Sequence, residues 1–154
     1  MSAPTLCDPI NTGYQVFGIW YANLIRFSRV KCVLFTNEKT LYTFLVPNVL
    51  RKDLREVEKL FMVNLRRNLE YEGFTDSIIK QLEKGCSGGV AFAKTTNRGV
   101  IGSMVDLVSH YPFYIENLDD MNQVLGANSK INQTLMSYLK YDSPMEALQA
   151  LVKC

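Results

Sequence analysis

Hydrophobic residues are densest between residues 16 and 46, and they follow the pattern of β-strands. The runs FGIWYANLIRF, KCVLFT and TLYTFLV are rich in aromatic and β-branched residues, and the segments between them, SRV and NEK, are short enough for antiparallel hairpin turns. Alternation places Trp20 and Leu24 on one face of the first strand and Tyr21 and Ile25 on the other. Because both faces are largely apolar, the pattern predicts a meander that is covered on both sides or that forms the centre of a larger sheet.

The rest of the chain is patterned mainly for helices. Apolar residues recur at intervals of three and four through residues 51–73, which predicts one long helix that ends at Gly73. Shorter helices are predicted for residues 76–84, 100–111, 130–140 and 144–153. The run VAFAKT at residues 90–95 predicts a further strand. The expected fold class is therefore α+β, with an antiparallel sheet of four or more strands (the N-terminal meander plus the later strand) packed with four or five helices.

The length and composition of the chain favour a single globular domain. With 154 residues, of which 47% are hydrophobic and 21% charged, the chain is long enough to bury a core. We expect one domain over residues 1–154, with a core at residues 16–112 and a helical C-terminal extension at residues 113–154. No apolar run reaches the roughly 18 residues that span a bilayer, and the N-terminal residues lack the pattern of a signal peptide. The expected protein is therefore cytoplasmic and has no membrane partner.

The net charge of +2 is unevenly distributed along the chain. Residues 26–67 contain ten lysines and arginines against four acidic residues. The expected basic surface comprises Arg26, Arg29, Lys31, Arg51, Arg55, Lys59 and Arg66. It is either a solvated face partly neutralised by nearby acids, such as Glu56 for Lys52, or a contact for a phosphate backbone or an acidic partner. The solvated face is favoured, because a pI of 8.3 is low for a nucleic-acid-binding module.

A second candidate for anion binding lies in FAKTTNRGVIGSM, residues 92–104, where the late strand turns into a helix. Backbone N–H groups at a helix N-terminus attract anions, and two basic side chains add positive charge. The anion-binding candidates are Lys94, Thr95, Arg98, Gly99 and Ser103. The spacing is not that of a P-loop. A simpler interpretation, in which the small residues only admit a neighbouring element, is favoured over a phosphate site.

No set of residues has the pattern of a catalytic or metal centre. The four cysteines are far apart and there is one histidine, whereas a zinc site takes ligands a few residues apart. Ser103, Asp106 and His110 share one side of a helix, but Ser103 and His110 are roughly 10 Å apart along its axis, too far for a nucleophile and its base. A reactive thiol at Cys86 is a distant alternative. We therefore expect no cofactor and no metal, and lean toward a protein without enzymatic activity.

Three segments of the chain resemble a family of small bacterial domains of unknown function. The first is WYANLIRFSRVKCVLFTNEKT, which is similar to W-[HY]-A-N-L, a basic turn and K-C-V-L-F-x-N-x-x-T. A Leu-rich helix follows, and FAKTTNRGVIGSM is then similar to F-x-K-T-x-x-R-x-V-x-G-S-M. The residues that carry the resemblance are Trp20, Asn23, Lys31, Cys32, Asn37, Thr40, Lys94, Thr95, Arg98, Gly102, Ser103 and Met104.

The resemblance runs from about residue 17 to about residue 110, and it implies a compact bacterial domain without assigning a reaction. Val30 and Val105 depart from the pattern, which has a basic residue and an asparagine at these positions. A polar cluster candidate comprises Trp20, Asn23 and Asn37. Its asparagines meet residues 94–98 if the late strand pairs near the meander. A structural network is slightly favoured over a ligand site, because buried amides need hydrogen-bond partners.

The function that the sequence favours is a non-enzymatic binding or regulatory module that acts through a protein partner or as a homodimer. Aromatic residues are numerous, and the run YPFYI at residues 111–115 is expected to form an exposed apolar patch. The alternative is a nucleotide or nucleic-acid binding protein, possibly an enzyme, with a phosphate site at residues 94–103.

Overall fold

The computed structural model describes residues 19–27, 29–86, 92–93 and 97–152. The N-terminal hydrophobic run forms three antiparallel strands, which are β1 (Trp20–Phe27), β2 (Val30–Asn37) and β3 (Thr43–Val46). β1 and β2 pair along their full length, from Trp20 opposite Asn37 to Phe27 opposite Val30.

The fold class is α+β, as predicted, but three strands are antiparallel and not four or more. The described part of the expected late strand is β4 (Phe92–Ala93), which pairs in parallel with Trp20 and Tyr21 of β1. The order across the sheet is β3-β2-β1-β4. A parallel neighbour is the result of a crossover connection: helices between β3 and β4 carry the chain across one face of the sheet, and the next strand then enters from the same end as β1.

The described residues form six α-helices, one more than the upper number predicted. They are α1 (Arg51–Arg55), α2 (Val57–Tyr71), α3 (Asp76–Cys86), α4 (Arg98–His110), α5 (Met121–Ile131) and α6 (Pro144–Val152). Short 3-10 turns occur at Tyr111–Phe113 and Ser137–Leu139. None of these helices is long and apolar enough to cross a membrane.

The long helix predicted for residues 51–73 is divided into α1 and α2 at Glu56. This residue has φ −118° and ψ 48°, which is outside the helical region. The Asp53 carboxylate accepts a hydrogen bond from Leu50 N–H (2.9 Å) and stabilises the start of α1. Leu54 and Val57, on either side of the break, pack against the same core cluster. The apolar spacing therefore continues through the break and does not reveal it.

The helix predicted for residues 130–140 is wrong in position, because α5 covers Met121–Ile131. Asp120 caps this helix by accepting hydrogen bonds from Asn122 N–H (3.0 Å) and Gln123 N–H (3.4 Å). The sequence of this helix, MNQVLGANSKI, contains two Asn residues and one Gly, all of which are weak helix formers. Burial of Val124 and Ala127 compensates for this low propensity.

Apolar side chains pack against both faces of the sheet, which confirms that prediction. On one face Trp20, Phe35 and Phe44 pack with α2, α3 and α6. On the other face Tyr21 and Leu34 pack with α4 and α5. The described structure is thus a sheet between two layers of helices.

The outer edge of β3 is closed by two asparagine side chains of α5. Thr43 N–H donates to Asn132 Oδ1 (2.9 Å), and Asn132 Nδ2 donates to the Thr43 carbonyl (2.7 Å). One helical turn earlier, Leu45 N–H donates to Asn128 Oδ1 (2.9 Å), and Asn128 Nδ2 donates to the Leu45 carbonyl (3.4 Å). Four helical residues rise about 6 Å and two strand residues about 6.6 Å. The spacing of the two amides therefore matches that of the two outward-facing strand residues. These contacts prevent this edge from pairing with another chain.

Glu72 follows α2 at a half-buried position close to Tyr42. The buried Tyr42 hydroxyl has no hydrogen-bond partner in the described ranges, and burial, followed by the charge of Glu72, raises its pKa. Burial also raises the pKa of Glu72, while a hydrogen bond with Ser129 acts in the opposite direction. The carboxyl group of Glu72 therefore holds its proton more tightly in the folded state than in the unfolded chain. As the pH rises from the unfolded pKa of this group through its higher folded pKa, the free energy of unfolding falls.

The variant Glu72→Gln is expected to be more stable than the wild type at pH 7, because a neutral amide avoids the cost of a half-buried carboxylate. The difference should shrink below about pH 3.5, where glutamates are protonated even in the unfolded chain. Urea unfolding at both pH values measures it. Glu116→Gln, at an exposed position, is the matched control. An equal difference at the two pH values would contradict the role assigned to Glu72.

Candidate functional site

Most cations of the expected basic surface gather at the hairpin end of β1 and β2. Arg26 and Lys31 lie opposite each other in the ladder, and Arg29, with φ 67°, lies in the turn that joins the strands. The Lys31 carbonyl accepts a hydrogen bond from Val49 N–H (3.1 Å). This contact brings the start of α1, at Arg51, beside the hairpin.

Among the described residues, these cations form no ion pair with a neighbouring acid. The ion pairs shorter than 4.0 Å in these ranges do not include Arg26, Arg29, Lys31, Arg51, Arg55 or Lys59. The expected pair between Lys52 and Glu56 is likewise not among them, and Glu56 lies at the break after α1.

Arg66 is engaged in a different role from the other cations. Its guanidinium contacts Glu83, and it lies 2.8 Å from Asp76 Oδ1 and 3.8 Å from Glu70 Oε2. Hydrogen bonds from Lys80 and then from Arg66 lower the pKa of Asp76. Arg66 joins α2 to α3, so it is not available to an external anion in the way the sequence suggested.

Two further cations, which the expected basic surface does not include, extend it along α1 and α2. Lys52 and Arg67 line a groove of about 340 Å³ together with Lys59, facing Asp53 and Glu56. Lys59, Arg66 and Arg67 all lie on α2. Arg67 borders this groove, whereas Arg66 contacts acidic residues of α3.

The strand-to-helix anion candidate is described only in part, because Lys94 and Thr95 lie outside the described residues. At the start of α4, Asn97 Oδ1 accepts hydrogen bonds from Gly99 N–H (2.9 Å) and Val100 N–H (3.2 Å). Ser103 Oγ donates to the Gly99 carbonyl (2.8 Å). These groups are already satisfied within the helix, so the charge that remains for an anion is the Arg98 side chain.

Arg98, Gly99 and Ser103 nevertheless border a groove of about 600 Å³, on the side of α4 that faces residues 135–141. Gly99 is required by this packing, since a Cβ there would lie 2.8 Å from ring carbons of Tyr138. The other wall contains Tyr138 and Tyr141, and Tyr141 is 70% exposed. The groove combines one cation with aromatic rings, which suits a protein side chain or a planar ligand better than a free phosphate.

An apolar groove of about 360 Å³ lies on the opposite side of α4, between this helix and β1. Ile101 and Val105 are exposed along it, and Val105 is 66% exposed. Asn23 Nδ2 approaches Met104 Sδ (3.9 Å) at its floor. We call the exposed apolar residues on the two sides of this helix the α4 surface; they are Ile101, Val105, Leu135, Tyr138 and Tyr141.

The polar cluster candidate does not form one site. Trp20 is buried and packs edge-on against Phe44 and Phe61. Asn37 accepts hydrogen bonds from Thr40 N–H (3.0 Å) and Thr40 Oγ1 (3.1 Å), which fixes the turn after β2. Asn23 lies on the other face of β1 from Trp20. Trp20 and Asn37 are cross-strand neighbours with structural contacts, and Asn23 belongs to the apolar groove.

The expected apolar patch at residues 111–115 is only partly exposed. Tyr111 and Ile115 are buried in the core cluster of the α4 face. Phe113 is 83% exposed, and Tyr114 lies beneath Lys130, whose Nζ is 5.9 Å from the ring centre. The turn directs Pro112, Phe113 and Tyr114 outward and the residues on either side inward, so this run offers two exposed rings and not five apolar side chains.

The catalytic alternatives gain no support from the geometry. His110 Nε2 lies 3.7 Å from Asp106 Oδ1, but the Ser103 hydroxyl bonds within its own helix. Across the described part of the chain, no group of three metal-ligating side chains is present. Cys86 lies at the end of α3, and its side chain is outside the described set.

Comparison with known proteins gives a family and no activity. Residues 3–147 match the family model described as "Domain of unknown function (DUF6933)". The match extends beyond residues 17–110, where the motifs lie, and includes α5 and the start of α6. No curated protein matches the chain.

Proposed function

The chain belongs to this family of domains of unknown function, and we propose that it is a non-enzymatic binding or regulatory module that contacts a protein through the α4 surface. The observation that carries the proposal is the exposure of large apolar side chains on both sides of one helix. We place this module in the bacterial cytoplasm, where a free cysteine such as Cys32 stays reduced.

The composition of the α4 surface supports contact with a protein. Isolated soluble domains rarely expose large contiguous apolar patches. Interface cores are enriched in aromatic residues and arginine and depleted of lysine and acidic residues, and this surface has two tyrosines, three aliphatic residues and a bordering arginine, Arg98. Val105 and Tyr141 are each more than half exposed and lie on opposite sides of α4, so each is a suitable position for a test.

Native mass spectrometry of untagged protein, gently purified from its own cells, tests the proposal. The wild type is expected to carry additional protein mass that leaves on denaturation. Val105→Asp and Tyr141→Ala should each reduce the bound fraction by about tenfold or more, because a core contact of an interface is worth upwards of about 1.4 kcal/mol.

Val63→Asp, on α2 and 43% exposed, is the matched control and should leave the complex intact. All variants are compared by their unfolding midpoints, so that loss of binding is separated from loss of folding. A wild type that carries no protein, or a complex that survives both α4 variants, contradicts the proposal.

A second function, binding of nucleotides or nucleic acid, is favoured by one observation: the cations at the hairpin end and on α1 form no ion pair with any other residue that the structure describes. Arg26, Arg29, Lys31, Arg51 and Arg55 would contact successive phosphates, with the groove at Lys59 alongside. Phosphates near Lys94 and Arg98 belong to the same alternative.

Fluorescence anisotropy with a short single-stranded oligonucleotide, between 50 and 200 mM salt, tests this second function. Affinity should fall steeply with salt, and Arg29→Ala, Arg51→Ala and Arg55→Ala together should reduce the salt slope by about 2, roughly 0.7 for each lost phosphate contact. Lys80→Ala, on α3 away from the basic surface, should leave the slope unchanged. No binding at the lower salt concentration rules the function out.

A further inference from the structure

A groove of about 340 Å³ follows one side of α2 from the break after α1, and we call it the α2 groove. In chain order it is lined by Glu56, Leu60, Val63, Asn64 and Arg67, with further charged residues at its α1 end. Small-molecule sites typically have volumes of about 300–1,000 Å³. The α2 groove is therefore large enough for a small polar molecule.

Among the described residues that line this groove, Asn64 is the one buried polar residue, with 8% of its surface exposed. Its Nδ2 donates to the Leu60 carbonyl (2.8 Å), which holds the amide in one orientation. No residue that the structure describes donates a hydrogen bond to its Oδ1, and this oxygen is not fully enclosed by protein. Since Asn64 lines the groove, its oxygen is an oriented acceptor for an N–H or O–H group there.

Arg67 supplies a cation next to this acceptor. Its side chain is exposed and belongs to no ion pair within the described ranges. Residues three apart on a helix are neighbours, with Cβ atoms about 5–6 Å apart, and helical side chains lean toward the N-terminus. The Arg67 side chain therefore leans toward Asn64. An acceptor thus lies beside a guanidinium, which can hold a carboxylate through two hydrogen bonds.

Different classes of ligand fit this pair of groups unequally. A carboxylate alone would contact Arg67, but it has no donor for Asn64 Oδ1. A metal cation or a simple amine would use the oxygen, but it would be repelled by the charge of Arg67. A molecule with an anion and a donor on neighbouring atoms satisfies both groups. An α-amino acid, whose carboxylate and ammonium are attached to one carbon, has this form.

We propose that the α2 groove binds a free α-amino acid. The carboxylate pairs with Arg67, the ammonium donates to Asn64 Oδ1, and the side chain lies along the apolar surface of Val63 and Leu60. This site is separate from the α4 surface, so the inference goes beyond the proposed function.

The α1 end of the groove limits which amino acids fit. It carries two cations and two carboxylates, so its formal charge is balanced; they are Lys52, Lys59, Asp53 and Glu56. A charged ligand side chain gains no net attraction there, and it loses hydration against Leu60 and Val63. We therefore expect uncharged amino acids to bind more tightly than the acidic and basic ones.

The test is an NMR titration of ¹⁵N-labelled full-length protein with each of the twenty protein amino acids, up to about 20 mM, since a partly open site predicts millimolar affinity. At least one uncharged amino acid should shift the side-chain amide signals of Asn64 to saturation. Its N-acetyl derivative lacks the ammonium and its amide lacks the carboxylate, so each should bind at least about tenfold more weakly. The derivatives leave the protein unchanged, so a folding defect cannot account for the difference.

Arg67→Ala should weaken binding by about tenfold or more. Arg55→Ala is the matched control, since Arg55 is an exposed arginine on α1 that does not line the groove. Absence of a saturable shift with all twenty amino acids overturns the inference. An N-acetyl derivative or inorganic phosphate that binds as tightly as the amino acid also overturns it, because the groove would then select anions alone. Equal effects of the two arginine variants would place the site elsewhere and overturn it too.

Discussion

Asn128→Ala is expected to destabilise the protein by roughly 3–5 kcal/mol, because several buried polar groups lose their partner together. Asn128 Oδ1 accepts from Leu45 N–H (2.9 Å) and from the Tyr111 hydroxyl (2.7 Å). Its Nδ2 donates to Asn68 Oδ1 (3.0 Å). Burial raises the pKa of Tyr111, so its hydroxyl remains a proton donor. Each unpartnered buried group costs about 1–3 kcal/mol.

Urea unfolding followed by the fluorescence of Trp20, the one tryptophan of the chain, measures this change. Asn122→Ala is the matched control, since Asn122 lies on the same helix and is exposed. It should shift stability by no more than about 0.5 kcal/mol. An equally small shift for Asn128→Ala would show that closing the edge of β3 does not stabilise the fold.

Phe61→Ala is expected to cost about 3–5 kcal/mol, through lost burial and the cavity that remains. The Phe61 ring lies at the centre of an aromatic cluster, 4.8 Å from Trp20, 5.2 Å from Phe35 and 5.7 Å from Phe44, measured between ring centres. These contacts join α2 to three strands. Because the ring has 0% exposure, neighbouring side chains can fill only part of the vacated volume.

Phe61→Leu should cost distinctly less than Phe61→Ala, because leucine retains much of the volume. Val63→Ala, two residues further along α2 and 43% exposed, controls for the change of helix surface and should stay within about 0.5 kcal/mol. Thermal or urea unfolding measures the series. If alanine and leucine at residue 61 were equally destabilising, cavity volume would not be the cause.

Local signals predicted the parts of the fold that depend on neighbouring residues. Such signals predicted the three antiparallel strands, the start of α3 after Thr75 and the capping of α6. Ile78 N–H donates to Thr75 Oγ1 (3.3 Å), and Ser143 and Glu146 exchange two hydrogen bonds of 3.1 Å. The position of α5 was not accessible, because its stability comes from packing and from the asparagines that contact β3, which is more than eighty residues earlier.

The candidate site was also predictable from the sequence only in part. The excess of basic residues between 26 and 67 was readable from composition, since charge needs no fold to be counted. Which of those cations lack a partner was not readable. Arg66 meets Glu83 and Asp76 only because α3 folds back against α2. The apolar groove required Leu24 and Val105, eighty-one residues apart in the chain, to lie on one surface.

The sequence by itself determined the strand meander, the apolar character of both its faces and the α+β fold class. It also carried the resemblance to a family without a known reaction. These follow from periodicity, capping and motif order, which act over a few residues. Only the tertiary structure decided the parallel placement of β4, the closed edge of β3 and the exposure of the α4 surface. Each of these depends on contacts between distant segments, whose formation is set by packing of the whole chain and not by local preference.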